Sequence, residues 1–255
     1  MVDSSESITT VIPYSPEYTP QELLERAKQS VREQTVETDI VVVHDEESKG
    51  PSWARNQGIE SAESRYVAFL DADDIWKRDK LSRQLNKLHE TGSGICVQNE
   101  RINKELFMME LYMGNISSIT SSIVIDTNKV TETRFNEVAR RREDHLYILE
   151  ATSEADICFC EDLFKVGGHN ESFASNTSTW LRLREDVRFA SFVRQEVPEI
   201  RKYFNSYYSK IRCEPRYSNT PGDLIRLVLL HPIPRTVPLM SLSIVCQWFK
   251  SYGSD

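Results

Sequence analysis

No apolar run in this 255-residue chain reaches the roughly 20 residues that a membrane-spanning helix needs. The N-terminus lacks a basic start followed by an apolar stretch, so no secretory leader is expected and the chain reads as cytoplasmic. Cysteine is sparse: Cys96, Cys158, Cys160, Cys213 and Cys246 are odd in number and irregular in spacing. That pattern excludes a disulfide framework and predicts buried thiols in a reducing compartment. Cys158-Phe159-Cys160 alternates on a predicted strand, which sends both sulfurs to one face. Surplus positive charge is lacking as well. A net charge of −8 excludes general nucleic-acid binding, which needs a basic face. The chain shows no internal repeat and no low-complexity segment.

What is present is a chain long enough to bury a full core, as one large domain or one domain with an appendage. The charge is unevenly spread. Residues 181–255 hold 12 Lys and Arg against 7 Asp and Glu, a balance of +5, which leaves −13 on residues 1–180. A basic end on an acidic body fits an anionic partner such as lipid headgroups, or a solvated helical face. Within that end, residues 224–230 and 237–249 are apolar and His231-Pro232-Ile233-Pro234-Arg235 separates them. Either both halves pack on the main domain, or residues 223–250 make a peripheral membrane contact as an interfacial segment.

The most informative stretch is Tyr66-Val67-Ala68-Phe69-Leu70-Asp71-Ala72-Asp73-Asp74. A continuous apolar run bounded by polar residues predicts a strand covered on both faces, as in a parallel sheet. Ligands of open α/β sheets bind outside the carboxyl ends of the strands, which puts Asp71, Asp73 and Asp74 at a crevice. Clustered carboxylates repel one another unless a cation joins them, and hard cations take oxygen ligands. Two readings follow from the run alone. One is a Mg²⁺ or Mn²⁺ site for a phosphorylated substrate. The other is a helix start in which Asp74 caps Ile75-Trp76-Lys77.

The first half of the chain alternates strands with helices. Residues 7–12 predict a strand stopped by Pro13 and Pro16. Thr19 is placed to cap a helix with Pro20 at its first position and Leu23, Leu24, Ala27 and Val31 on its buried stripe. Residues 39–43 predict a second strand, ending in His44-Asp45-Glu46-Glu47. Ser52 is placed to cap a helix over 54–62, and another helix is expected over 80–88. This order predicts an α/β fold with a mostly parallel sheet flanked by helices. Further on, the pattern predicts strands within 92–99, over 119–125 and over 155–159, and a helix over 140–151. A loop at Gly167-Gly168-His169 and a helical pattern over 179–209 follow.

Several of these motifs, in this order, resemble the family-2 glycosyltransferases of the GT-A fold. Thr10-Val11-Ile12-Pro13-Tyr14 is similar to that family's opening strand, and Ser30-Val31 with Gln34-Thr35 to the end of its first helix. Ile40-Val41-Val42-Val43-His44-Asp45 resembles its second strand. Gly50-Pro51-Ser52-Trp53-Ala54-Arg55-Asn56-Gln57-Gly58 resembles its G-x-s-x-A-R-N-x-G segment. Ala68-Phe69-Leu70-Asp71-Ala72-Asp73-Asp74-Ile75-Trp76 resembles its DxD metal-binding signature. Phe135-Asn136-Glu137 ahead of Arg142-Glu143-Asp144-His145-Leu146 is similar to its F-[DN]-E turn and acidic pair. The resemblance is strong over residues 8–90 and weak over 117–175. It implies a GT-A domain over 1–180, with a nucleotide-sugar-binding half at 8–98 and an acceptor half at 99–180. A helical C-terminal extension over 181–255 completes the chain.

The resemblance further implies a metal-dependent, inverting transfer of a sugar from a nucleotide-sugar donor to a glycan or lipid-linked acceptor hydroxyl. It implies Pro13, Tyr14, Asp45, Arg55, Asp71 and Asp73 at the donor, and Mn²⁺ or Mg²⁺ held by Asp73 and Asp71 with His169 as a further ligand. Asp144 is implied as the general base, with Glu143 as its neighbour. Plainer roles stand beside these. Asp45 could cap a loop, and Arg55 could pair with an acid of the strand ends. Asp71 could contact ribose or a metal-bound water, His169 could be a phosphate contact or a solvated loop residue, and Glu143 and Asp144 could be a charged helix start. Two departures from the family pattern matter. Only Glu46-Glu47-Ser48-Lys49 separate Asp45 from Gly50, where the family has a longer segment with a strand, and the stretch from Asp73 to Asp144 is short. A sugar-phosphate nucleotidyltransferase is the competing enzyme class, but it would open with a Gly-rich basic loop, which is lacking near Ile12. A degenerate member that binds sugar or a partner without turnover is the competing binding class.

Overall fold

The computed structural model describes residues 7–100, 102–116, 118–165 and 179–203. The first half runs β1 (Ile8–Tyr14), α1 (Gln21–Arg32), β2 (Asp39–His44), α2 (Pro51–Ser61), β3 (Tyr66–Phe69), β4 (Ile75–Trp76) and α3 (Lys80–Thr91). The second runs β5 (Ile95–Gln98), α4 (Lys104–Met113), β6 (Val124–Asp126), α5 (Glu143–Glu154), β7 (Ile157–Cys160), β8 (Phe164–Lys165) and α6 (Thr179–Glu196). The main sheet has the order β2-β1-β3-β6-β5-β7. β1 pairs in parallel with β2 and β3, and β5 with β7, while β6 is antiparallel to both β3 and β5. The expected mostly parallel α/β sheet is therefore what the chain forms.

Strand side chains alternate between two cores, as a period of two requires. Ile8, Ile12, Tyr66, Ala68, Leu70, Cys96 and Val124 meet α1 through Leu24, Ala27 and Val31, and α3 through Leu81, Leu85 and Leu88. Val11, Val67, Phe69, Ile95, Val97, Ile123 and Ile125 meet Phe107 and Leu111 of α4, Leu146 and Leu149 of α5, and Phe189 and Val193 of α6. The larger of these side chains, Val, Leu, Ile and Phe, each contribute about 1.5–3 kcal/mol when fully buried, so the two helix layers hold the sheet from both sides. Helix α2 lies so close to β1 that a Cβ on Gly58 would sit 2.1 Å from Val11 Cγ1.

Several expectations are corrected. β1 continues through Pro13 to Tyr14, paired with Val43 and His44 of β2. Its ladder with β3 ends at Val11, so the missing Pro13 N–H falls where β3 no longer asks for a donor. Pro20, not Thr19, occupies the cap position of α1: the first intrahelical bond runs from Leu24 N to Pro20 O at 3.5 Å. Helix α2 starts at Pro51, after Gly50 at φ +103°, rather than at a Ser52 cap. Residues 119–125 are not one strand. Ser122 N donates to Ile119 O at 2.9 Å and closes a 3-10 turn over Thr120–Ser122 before β6 begins, and Ser122 Oγ adds a second bond to the same carbonyl at 2.7 Å. The sequence reading did not foresee α4 or the small β4–β8 pair.

Cys96 and Cys158 are buried and Cys160 is half-buried, all three as free thiols. Cys213, Cys246, His169 and residues 204–255 lie outside the described residues. Among the described residues no helix is long and apolar enough to cross a membrane.

Candidate active site

β1, β2 and β3 are parallel, so their carboxyl ends open on one edge of the sheet. Buried Tyr14 ends β1 beside half-buried Pro13, and its ring meets His44 edge-on at 5.3 Å. Asp45 follows β2 and is buried. Its N–H donates to Tyr14 O at 2.8 Å, its Oδ1 accepts from Lys49 N at 2.8 Å, and its Oδ2 accepts from Gly50 N at 2.6 Å. Asp45 thus caps the short loop that leads into α2. A carboxylate has about four lone-pair sites, so two acceptor positions remain beyond the loop amides. Lys49 folds back over the Trp53 ring at 4.6 Å, which closes the short loop upon itself.

The acids after β3 form a turn. Leu70 N–H is held by Val11 O at 3.0 Å, and Asp74 N donates to Asp71 O at 3.0 Å, which closes the four-residue turn around Ala72 and Asp73. The Asp71 side chain is 30% exposed and Asp73 is half-buried, whereas Asp74 is buried and accepts from Ser121 Oγ at 2.5 Å. The helix-start reading fails here. Asp74 leads into β4, which pairs with β8, and α3 begins only at Lys80.

Arg55 of α2 lies under this turn. It is 4% exposed, and its Nη2 donates to Asp71 Oδ1 at 2.8 Å while its Nη1 donates to Glu143 Oε1 at 3.2 Å. Burial opposes the charge of Arg55, but Asp71 and Glu143 more than offset it and hold the guanidinium charged. The expected pairing of Arg55 with a strand-end acid is seen, and a partner 88 residues away in sequence joins it. Burial and neighbouring Asp144 raise the Glu143 carboxyl, while Arg55 lowers it. Burial pushes Asp144 up to about 6, against the lowering effect of the His145 amide and Arg55, and Asp71 adds to the rise. His145 N donates to Asp144 Oδ1 at 2.7 Å, which fixes the carboxyl at the head of α5. Burial and the Arg142 charge depress His145 to about 3, so its imidazole is neutral at physiological pH.

Arg142 itself adopts φ +57°, and its Nε donates to His145 Nδ1 at 3.2 Å. Its Nη2 donates to Leu111 O at 2.6 Å and to Tyr112 O at 2.9 Å, and its guanidinium lies 3.8 Å over Phe189. It anchors the start of α5 to the end of α4. Asn56, next to Arg55, secures the Phe135-Asn136-Glu137 turn: its amide bonds both backbone groups of Phe135 and the Glu137 carboxylate. Asn56 stood inside a motif in the sequence, but nothing there assigned it this partner. Ser121 falls in a stretch whose sequence predicts a strand and gives no sign of a role.

Among the described residues no group of three or more His, Cys, Asp or Glu side chains is set to hold a metal ion. Asp71 and Asp73 nevertheless suit Mg²⁺ or Mn²⁺. Both supply hard oxygens at a solvent-reachable turn, and such ions keep waters and take further oxygens from bound phosphates. A cavity of about 520 Å³ lies elsewhere, lined by Phe135 and Arg134 with Glu60, Glu137, Glu150 and Glu196 among others. Asp45, Asp71, Asp73 and Asp144 take no part in its lining, and its four glutamates do not suit a diphosphate.

Residues 14–154 match the family described as Glycosyl transferase family 2. The putative teichuronic acid biosynthesis glycosyltransferase TuaG of Bacillus subtilis is 51% identical over 55 residues, 22% of each chain. WfgD of Escherichia coli, a UDP-Glc:alpha-D-GlcNAc-diphosphoundecaprenol beta-1,3-glucosyltransferase, is 35% identical over 63 residues, 25% of each chain. The chain spans less than half the length of the curated relatives it matches. Among solved structures, the mannosyltransferase PcManGT of Pyrobaculum calidifontis, in complex with GDP-Man and Mn²⁺, superposes with a TM-score of 0.59. That match covers 98% of this chain and 83% of the other at 13% identity, a likeness of fold.

Proposed function

The chain belongs to glycosyl transferase family 2, and on that premise we propose that it moves a sugar from a nucleotide-sugar donor to an acceptor hydroxyl, with inversion and with a divalent cation. One observation carries this reading: Arg55 bridges Asp71 and Glu143. Through it the acid turn after β3 and the acid pair at the head of α5 belong to one site.

In this reading the donor lies along the sheet edge. Pro13 and Tyr14 wall the nucleoside, and Asp45 accepts from a ring N–H with the lone pairs its loop bonds leave. Asp73 and Asp71 hold Mn²⁺ or Mg²⁺, with His169 as a further ligand. The cation, when bound, neutralises the charge that builds on the departing diphosphate. Arg55 holds the Asp71 carboxylate in place through its 2.8 Å bond and supplies positive charge beneath the turn. Asp144 takes the proton of the acceptor hydroxyl as that oxygen attacks. A carboxylate raised to about 6 is a stronger base than an ordinary aspartate yet is ionised at neutral pH. Attack on the face opposite the leaving diphosphate inverts the anomeric carbon.

The acceptor in this proposal is a lipid-linked glycan. The diphosphoundecaprenol acceptor in the name of WfgD supports it. So does the basic and apolar character of residues 223–250, which would bring the protein to the cytoplasmic face of a membrane. A screen of nucleotide sugars with Mn²⁺, read as release of nucleoside diphosphate, tests the activity. Asp73→Ala should abolish metal-dependent donor binding, and Asp144→Asn should spare donor binding while removing transfer. Pyrophosphate release would point to nucleotidyl transfer, and silence with every donor to a binding protein.

A further inference from the structure

We propose that Ser121 is a positioning residue for the donor cation, holding the acid turn in shape from outside. The proposal rests on the reading above that Asp71 and Asp73 bind that cation.

Three bonds converge on Ser121. Its hydroxyl accepts from Asp71 N–H at 3.0 Å and donates to Asp74 Oδ2 at 2.5 Å, and its carbonyl accepts from Trp76 Nε1 at 2.8 Å. Asp71 opens the turn and Asp74 closes it, so one hydroxyl grips both ends while the turn's own Asp74 N to Asp71 O bond spans the middle. Trp76 extends the grip to the first strand beyond the turn. Ser121 is fully buried, as is its neighbour Thr120. It cannot touch substrate, so its effect must pass through Asp71 and Asp74.

The element that carries Ser121 is itself fixed. Phe69 N donates to Ile123 O at 3.2 Å, which registers the Thr120–Ser122 turn against the end of β3. Gln84 of α3 donates to Ser122 O at 2.8 Å from the other side. The hydroxyl therefore meets the acid turn from a rigid support. This arrangement gives Asp74 a role apart from metal binding. Its Oδ2 accepts from Ser121, and Asp71 and Asp73 stand on the more open side of the turn. A charge-assisted bond of this kind is stronger than an ordinary one, and a loosened turn would spread the two ligand carboxylates over many geometries.

The test uses Mn²⁺ as probe, titrated into the whole protein with UDP and, separately, with GDP, and read by the loss of the free-ion electron paramagnetic resonance signal. Ser121→Ala should weaken Mn²⁺ binding about tenfold. Ser121→Thr, which keeps the hydroxyl, should recover most of that loss. Ser118→Ala, a buried serine that bonds Ser122 and not the acids, should bind as the unaltered protein does. Equal Mn²⁺ affinity in Ser121→Ala and the unaltered protein overturns the inference alone. Failure of the unaltered protein to bind Mn²⁺ with either nucleotide overturns the donor-site reading and this inference together. Amide hydrogen exchange on the unaltered protein gives a measure that needs no variant to fold: the Asp71 N–H should be protected, and exchange at an open-chain rate overturns the proposal.

Discussion

Asn56 holds Phe135 by both of its backbone groups. The Asn56 Nδ2 donates to Phe135 O at 2.9 Å, and Phe135 N donates to Asn56 Oδ1 at 2.8 Å. The same Nδ2 reaches Glu137 Oε1 at 2.9 Å, and the Phe135 ring stacks on Tyr147 at 4.0 Å between centroids. A side-chain amide is suited to this task because it carries a donor and an acceptor side by side. Asn56→Asp keeps the size and loses the donor, leaving a buried carboxylate against a carbonyl and a second carboxylate. It should cost about 3 kcal/mol or more, measured by urea denaturation.

The pH dependence of transfer should follow Asp144. With its carboxyl raised to about 6 by burial, the base is protonated below that pH and silent. The rate constant kcat/KM should fall about tenfold per pH unit on the acid side of pH 6. A rate profile with the donor varied checks this, and an acid limb near pH 4 would move the base to a less buried group.

Glu150 gives a prediction about stability of opposite sense to the usual carboxylate. Burial, Glu196 and Glu154 raise it to about 7, well above its value in an unfolded chain. As pH rises, the unfolded state loses this proton first, so the stability present in acid is lost as pH climbs from about 4.5 through 7. Glu150 is partly open to solvent, so water screens part of the effect. Glu150→Gln should stabilise the fold at pH 7.5 by about 1 kcal/mol and leave it unchanged at pH 4, measured by thermal melting.

Gly58 sets how closely α2 approaches β1, and α2 carries both Arg55 and Asn56. A Cβ there would overlap Val11 Cγ1 at 2.1 Å. Gly58→Ala should destabilise by about 1–3 kcal/mol and reduce transfer, as the helix is pushed off the strand. Adding Val11→Ala should restore part of both, and denaturation of the single and double variants measures the coupling.

The parts of this molecule that were legible in the sequence are those with local signals. β3 and its terminal acids announced themselves as an apolar run ending in charge, and the stripe of Leu24, Ala27 and Val31 gave α1. The missed parts depend on distant partners. Pro13 reads as a strand stop until the length of the β3 ladder is known. Ser121 and Ser122 read as strand residues until their bonds to Asp74 and Ile119 O are seen. The link from Arg55 to Glu143 spans 88 positions and leaves no trace in spacing. Asp45 shows a plainer reading borne out: the family resemblance implies a donor contact there, a loop cap stood beside it, and the carboxylate does accept from Lys49 N and Gly50 N.

In the proposed reaction the shared guanidinium of Arg55 would link the donor side to the acceptor side. A cation bound beside Asp71 would compete with Arg55 for that carboxylate and favour the arginine's other bond, to Glu143 Oε1. Glu143 stands next to the carboxylate that would receive a proton. Filling one side of that crevice would then alter the acidity of the other through a single side chain.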